Sequence, residues 1–102
     1  MSFRHEPWPG DEPPDEHRVK SILAREGLSG YRWSNGPGDR YGAHSHPYTK
    51  VLYCLQGGIA FHLDTATVNL RPGDRLEVEA GEIHSADVGP AGVVCFEAAR
   101  SG

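Results

Sequence analysis

The chain has 102 residues, enough for one domain with a single core, and its apolar fraction of 37% is low for such a domain. A formal net charge of −4, with no basic cluster, excludes a surface that tracks a nucleic-acid backbone. No apolar run reaches membrane-spanning length and nothing resembles a secretory leader, so a cytoplasmic protein with no membrane partner is expected.

Residues 1–14 carry four prolines and several charges around Trp8, which predicts a flexible arm with His5 solvated and outside any site. Asp15 then caps a short helix over residues 15–27. Val19, Ile22 and Leu23 form its apolar stripe, Gly27 is its stop, and Arg18, Lys20, Arg25 and Glu26 make a solvated face.

From Leu28 the pattern changes to short extended runs, and residues 28–102 read as a β-barrel. Strands are predicted near Gly30–Ser34, Tyr41–His46, Lys50–Gln56, Ile59–Leu63, Ala66–Leu70, Arg75–Glu79, Ile83–Asp87 and Val93–Ala98. Turn residues separate them, including Asn35-Gly36-Pro37-Gly38, Gly57-Gly58, Arg71-Pro72-Gly73-Asp74 and Gly89-Pro90-Ala91-Gly92. Many short strands at this spacing give an all-β fold, a jelly roll of two facing antiparallel sheets. Cys54 and Cys95 lie in apolar strands and read as free, buried thiols. Side-chain parity puts Cys54 on the face of Lys50, opposite Val51 and Tyr53.

The chemistry concentrates in two places. His44 and His46 are one residue apart on an extended segment, so both imidazoles face one side, and His84 follows the glycine turn Glu79-Ala80-Gly81. Three imidazoles that meet can hold one divalent transition metal, and zinc, iron, manganese, nickel and copper all suit such donors. His62, flanked by Phe61 and Leu63, reads as a surface or pocket-edge histidine. Tyr31, Trp33 and Phe96 read as core or interface aromatics, and Arg40 and Tyr41 are placed near the mouth of the site.

The spacing Gly38, five residues, His44-x-His46, three residues, Lys50, six residues, Gly57 resembles the first motif of the cupin superfamily, and Gly73, Gly81 and His84 match the second. The resemblance, from about Gly36 to Ala98, implies a cupin barrel in which His44, His46 and His84 are the metal ligands. It also implies a homodimer. Three motif positions differ: the metal-site glutamate is Lys50, the proline is Glu79 and the asparagine is Val88.

Lys50 touches the chemistry, because an ammonium beside a divalent cation adds repulsion where the family's carboxylate would cancel charge. Four outcomes relieve it: the lysine loses its proton, it swings to Glu79, Glu82 or Glu97, an anion binds between it and the metal, or no metal is held. Two readings follow. In the first, the chain is a metal-dependent oxygenase or isomerase acting on a small anionic molecule, with Lys50 as the catalytic residue that anchors the anion or donates a proton. In the second it is a non-catalytic ligand-binding or sensor cupin, with structural metal or none.

Overall fold

A computed structural model describes residues 3–101. Seven strands and one helix follow in order: β1 (Phe3–Glu6), α1 (Glu16–Arg25), β2 (Gly30–Asn35), β3 (Arg40–His44), β4 (Thr49–His62), β5 (Thr67–Leu70), β6 (Arg75–Val78) and β7 (His84–Arg100). All the strand pairs are antiparallel. No helix among the described residues is long and apolar enough to cross a membrane.

The two long strands build the barrel. The first half of β4 pairs with β6 and with the last third of β7, giving the order β1-β6-β4-β7-β2. Beyond the register shifts at Cys54/Gln56 and Gly57/Ile59, the second half of β4 pairs with β5 and the start of β7, and β3 adds to β7. Each long strand thus serves both layers of a jelly roll.

The expected breaks at Gly57-Gly58 and at residues 89–92 are therefore bends inside continuous strands. Gly57 (φ 72°) and Gly92 (φ 75°) meet there, and a Cβ on Gly57 would lie 2.0 Å from the Gly92 carbonyl oxygen. Only glycine permits that approach together with that backbone conformation.

Alternation along the strands separates two apolar clusters. Leu52, Cys54, Ile59, Phe61, Leu76, Val78, Val88 and Cys95 fill the interior, while Val51, Tyr53, Phe96 and Ala98 point outward beneath the helix. Val19 and Leu23 of α1 cover that outer face and are fully buried, worth about 2 kcal/mol each by area. Asp15 caps the helix as expected, its Oδ1 accepting from the Arg18 amide at 2.8 Å.

The N-terminal segment departs from the flexible arm the sequence predicted. Phe3–Glu6 is an edge strand in register with Arg75–Val78, and His5 Nε2 lies 3.1 Å from Asp74 Oδ2. Phe3 packs against the interior cluster, which ties the segment down despite its surrounding prolines.

Candidate metal centre and ligand pocket

The H-x-H pair spans the end of a strand instead of lying within one. His44 is the last residue of β3 and His46 is in the following loop. His84, the first residue of β7, is in register with His44, so the ladder sets those two rings side by side. The loop is fixed to the second motif by the Gly81 amide, which donates to the His46 carbonyl at 2.8 Å.

The three rings converge. Their centroids are 4.4 Å (His44–His84), 4.9 Å (His44–His46) and 5.3 Å (His46–His84) apart, and one nitrogen from each falls within 4.8 Å of the others. His44 Nδ1 pairs with the Gly42 carbonyl at 2.7 Å and His84 Nδ1 with the Glu82 carbonyl at 2.9 Å. A carbonyl can only accept, so each Nδ1 donates, and a neutral ring then carries its lone pair on Nε2. Tyr48 stacks on His46 at 4.9 Å and holds its plane.

These donors fit a metal. His46 Nε2 and His84 Nε2 are the buried side-chain polar atoms without a hydrogen-bond partner among the described residues. An orphaned buried acceptor ordinarily costs about 1–3 kcal/mol, so two of them aimed at one another mark a place where a ligand completes the structure. Burial first, then the charge of Lys50 and the His44 ring, holds the His46 imidazole below the usual histidine range. Burial also leads for His84, outweighing the Glu82 carbonyl, with His44, Lys50 and His46 adding to the depression. Both rings are therefore held in the neutral form that binds metal.

Lys50 is at the wall of the same cavity, only 8% exposed, and of its three candidate carboxylates it has found Glu97. Its Nζ lies 3.4 Å from Glu97 Oε1 and 5.7 Å above the Phe61 ring. Register explains the choice. Lys50 faces Ala99 and Leu52 faces Glu97 across β4 and β7, so Glu97 is the diagonal neighbour of Lys50 on the inner face. Glu97 also accepts from Trp33 Nε1 at 3.0 Å and from the Tyr31 hydroxyl at 3.3 Å. Tyr31 and Trp33 do not take the core or interface role their sequence context predicts. They instead line the cavity and anchor its carboxylate, while Phe96 belongs to the outer cluster.

The cavity measures about 430 Å³ and is walled by Tyr31, Trp33, Tyr41, Tyr48 and Phe61 around the His44 and His46 imidazoles and the Lys50–Glu97 pair. That is within the range of small-molecule sites, which are apolar with a few convergent polar groups. Tyr41 joins it at the mouth. Arg40 does not: it turns outward to Asp87, Nε to Oδ1 2.9 Å. His62 is on the far side, bound to Asp87 Oδ2 at 2.7 Å and Thr67 Oγ1 at 3.1 Å, a partnered surface histidine.

Comparison with known proteins agrees with this architecture. A family model described as "Cupin domain" matches residues 31–94. The chain is a cupin. Its barrel superposes on a cupin superfamily protein from Desulfitobacterium hafniense DCB-2 with a TM-score of 0.66 at 15% identity, covering 98% of this cupin and 78% of that chain. A DMSP lyase from Ruegeria pomeroyi DSS-3 gives a TM-score of 0.67 at 23% identity, over 72% of this chain and 38% of the other. In sequence, 54 residues are 44% identical to quercetin 2,3-dioxygenase of Bacillus subtilis (strain 168). The match takes in 51% of this cupin but only 16% of that enzyme.

Proposed function

We propose that this cupin holds one divalent transition metal on His44, His46 and His84, and that the aromatic cavity beside it takes a small anionic molecule whose oxygen reaches the metal. The observation that carries the reading is the pair of buried, unpartnered Nε2 atoms on His46 and His84. Zinc, iron, manganese, nickel and copper all accept such a donor set. Bound there, the metal supplies a Lewis acid and, for a redox-active ion, a centre that exchanges electrons.

The chain's own residues do the rest. Three neutral imidazoles would leave a bound ion's charge uncompensated, and Glu97 cancels Lys50, so the loaded cavity would favour an anionic ligand. Lys50 thus serves less as a free anion anchor than as half of a proton-carrying pair. Its Nζ can donate to the bound molecule while Glu97 Oε1 takes up or returns the proton. Trp33 and Tyr31 keep that carboxylate in place, and the aromatic walls orient a planar ligand and exclude water. The stretch of identity with a dioxygenase favours oxygenase chemistry over isomerisation.

Elemental analysis of protein purified without an affinity tag tests the reading, combined with oxygen uptake across a panel of small carboxylates and enols. About one transition metal per chain and metal-dependent uptake with one class is the expected result. Metal without uptake reduces the role to binding. Protein that takes up no metal, with His84→Ala indistinguishable from wild type, ends the proposal.

A further inference from the structure

The site just described makes no use of Cys54 and Cys95. Both are fully buried free thiols, and they are direct partners in the β4–β7 register. The Cys54 amide donates to the Asp74 carbonyl at 3.0 Å and its carbonyl accepts from the Gly73 amide at 2.8 Å. Both backbone groups of Cys54 therefore point away from β7, which makes Cys54–Cys95 a non-hydrogen-bonded antiparallel pair. Such pairs have Cα atoms about 4.5 Å apart, the closest spacing in a sheet. Disulfides accept Cα separations of roughly 4.4–6.8 Å, so this pair can be bridged without moving a strand.

We propose that Cys54 and Cys95 are a reversible modification site, an intramolecular cross-strand disulfide formed by hydrogen peroxide and undone by a thiol reductant. In the first step the Cys54 sulfur attacks one peroxide oxygen, the O–O bond breaks, and a sulfenic acid forms as one water leaves. In the second the Cys95 sulfur attacks the Cys54 sulfur, the S–O bond breaks, and the second water leaves as S–S closes. Two thiols give up two electrons and two protons, and hydrogen peroxide becomes two waters.

The order of attack follows the surroundings. The interaction with Cys95 comes first in holding the Cys54 thiol below the usual range, against the opposing effect of burial. The same contact, then burial, pushes Cys95 up, and Cys54 is the thiol that borders the interrupted ladder, which makes it the first nucleophile and Cys95 the resolving thiol. Access comes from the fold itself, because the ladder is interrupted directly after Cys54, at Cys54/Gln56 and again at Gly57/Ile59. The bond fastens together the strands that carry Lys50 and Glu97, and Cys95 is also the register partner of Trp33, which holds Glu97. Oxidation is thereby linked to the pocket wall.

Full-length protein freed of metal with a chelator is treated with hydrogen peroxide, then unfolded in guanidinium with an alkylating agent and weighed. Reduced protein takes two labels. Oxidised protein is expected to take none, to weigh about 2 Da less, to yield a linked Cys54–Cys95 peptide, and to recover both thiols with dithiothreitol. Its thermal midpoint should rise by roughly 10 °C. Cys54→Ala and Cys95→Ala should each keep one labelled thiol and lose the mass change. Should either variant fail to fold, the wild-type peptide map decides alone. Additions of about 16 or 32 Da on one cysteine, a disulfide-linked dimer, or two thiols persisting after the treatment would each overturn the proposal.

Discussion

Two buried polar regions of this small barrel are built on opposite rules. Under the helix, Arg75 is almost fully buried and every side of its guanidinium is met. Glu26 receives it at 2.7 and 2.8 Å, Glu77 at 2.9 and 3.1 Å, and the Tyr53 hydroxyl at 3.0 Å, while Arg100 closes on the other oxygen of Glu77. At the cavity, the Nε2 atoms of buried His84 and half-buried His46 are as dry but unmatched. Two histidines elsewhere repeat the first rule, His5 with Asp74 and His62 with Asp87, while His17 on the helix is exposed. A structural buried group finds its partner within the chain, and the two nitrogens that do not, on His46 and His84, mark the place that expects one from outside.

Substitutions sharpen that contrast, beginning with the largest effect. Arg75→Met leaves Glu26 and Glu77 facing each other with no cation between them, and should cost roughly 3–5 kcal/mol in chemical denaturation. His84→Leu, at a residue 1% exposed, removes an unsatisfied nitrogen, and the metal-free protein should unfold within about 1 kcal/mol of wild type while metal uptake is lost. A large destabilisation of metal-free His84→Leu would erase the distinction between the regions.

The Lys50–Glu97 pair is intermediate, since it lies in the cavity yet is satisfied. Lys50→Met should destabilise by about 3 kcal/mol by stranding a buried carboxylate, and Lys50→Met with Glu97→Gln should recover most of the loss. Additive losses in that cycle would separate the two side chains.

The smallest effect is in the pH dependence of the metal-free fold. His46 and His84 have folded pKa values below their unfolded value of 6.5, so the unfolded chain binds more protons, and stability falls as pH drops from 6.5 through the folded values. For Glu77, burial alone would raise the pKa, but Arg100 and Arg75 hold it below 4.5. Its contribution is complete above 4.5 and is lost as pH falls through the folded value. Urea titrations across pH should resolve two acid limbs. In His84→Leu the upper limb should shrink and the lower should not.

How far the sequence reached depended on whether a residue's role is local. The convergent histidine trio was legible because two motif spacings carry it, and the helix because Asp15, its stripe and Gly27 are neighbours in the chain. Glu97 was one of three equal candidates for Lys50 until the β4–β7 register placed it on the diagonal. Trp33 and Tyr31 became pocket residues only when β2 was set against β7, which turns both toward Glu97. Gly57-Gly58 reads as a turn locally, and the contact with Gly92, from a distant part of the chain, makes it a bend within one strand. Phe3–Glu6 is held by its ladder to β6, which nothing in its proline-rich neighbourhood announces.

The most direct measurement is calorimetric titration of metal-free protein with zinc or cobalt(II), run on wild type and on five single histidine-to-alanine variants. One site per chain should be lost in His44→Ala, His46→Ala and His84→Ala and kept in His5→Ala and His62→Ala, whose rings already have carboxylate partners. Binding that survives His84→Ala, or disappears with His62→Ala, would contradict a centre made of the three converging imidazoles.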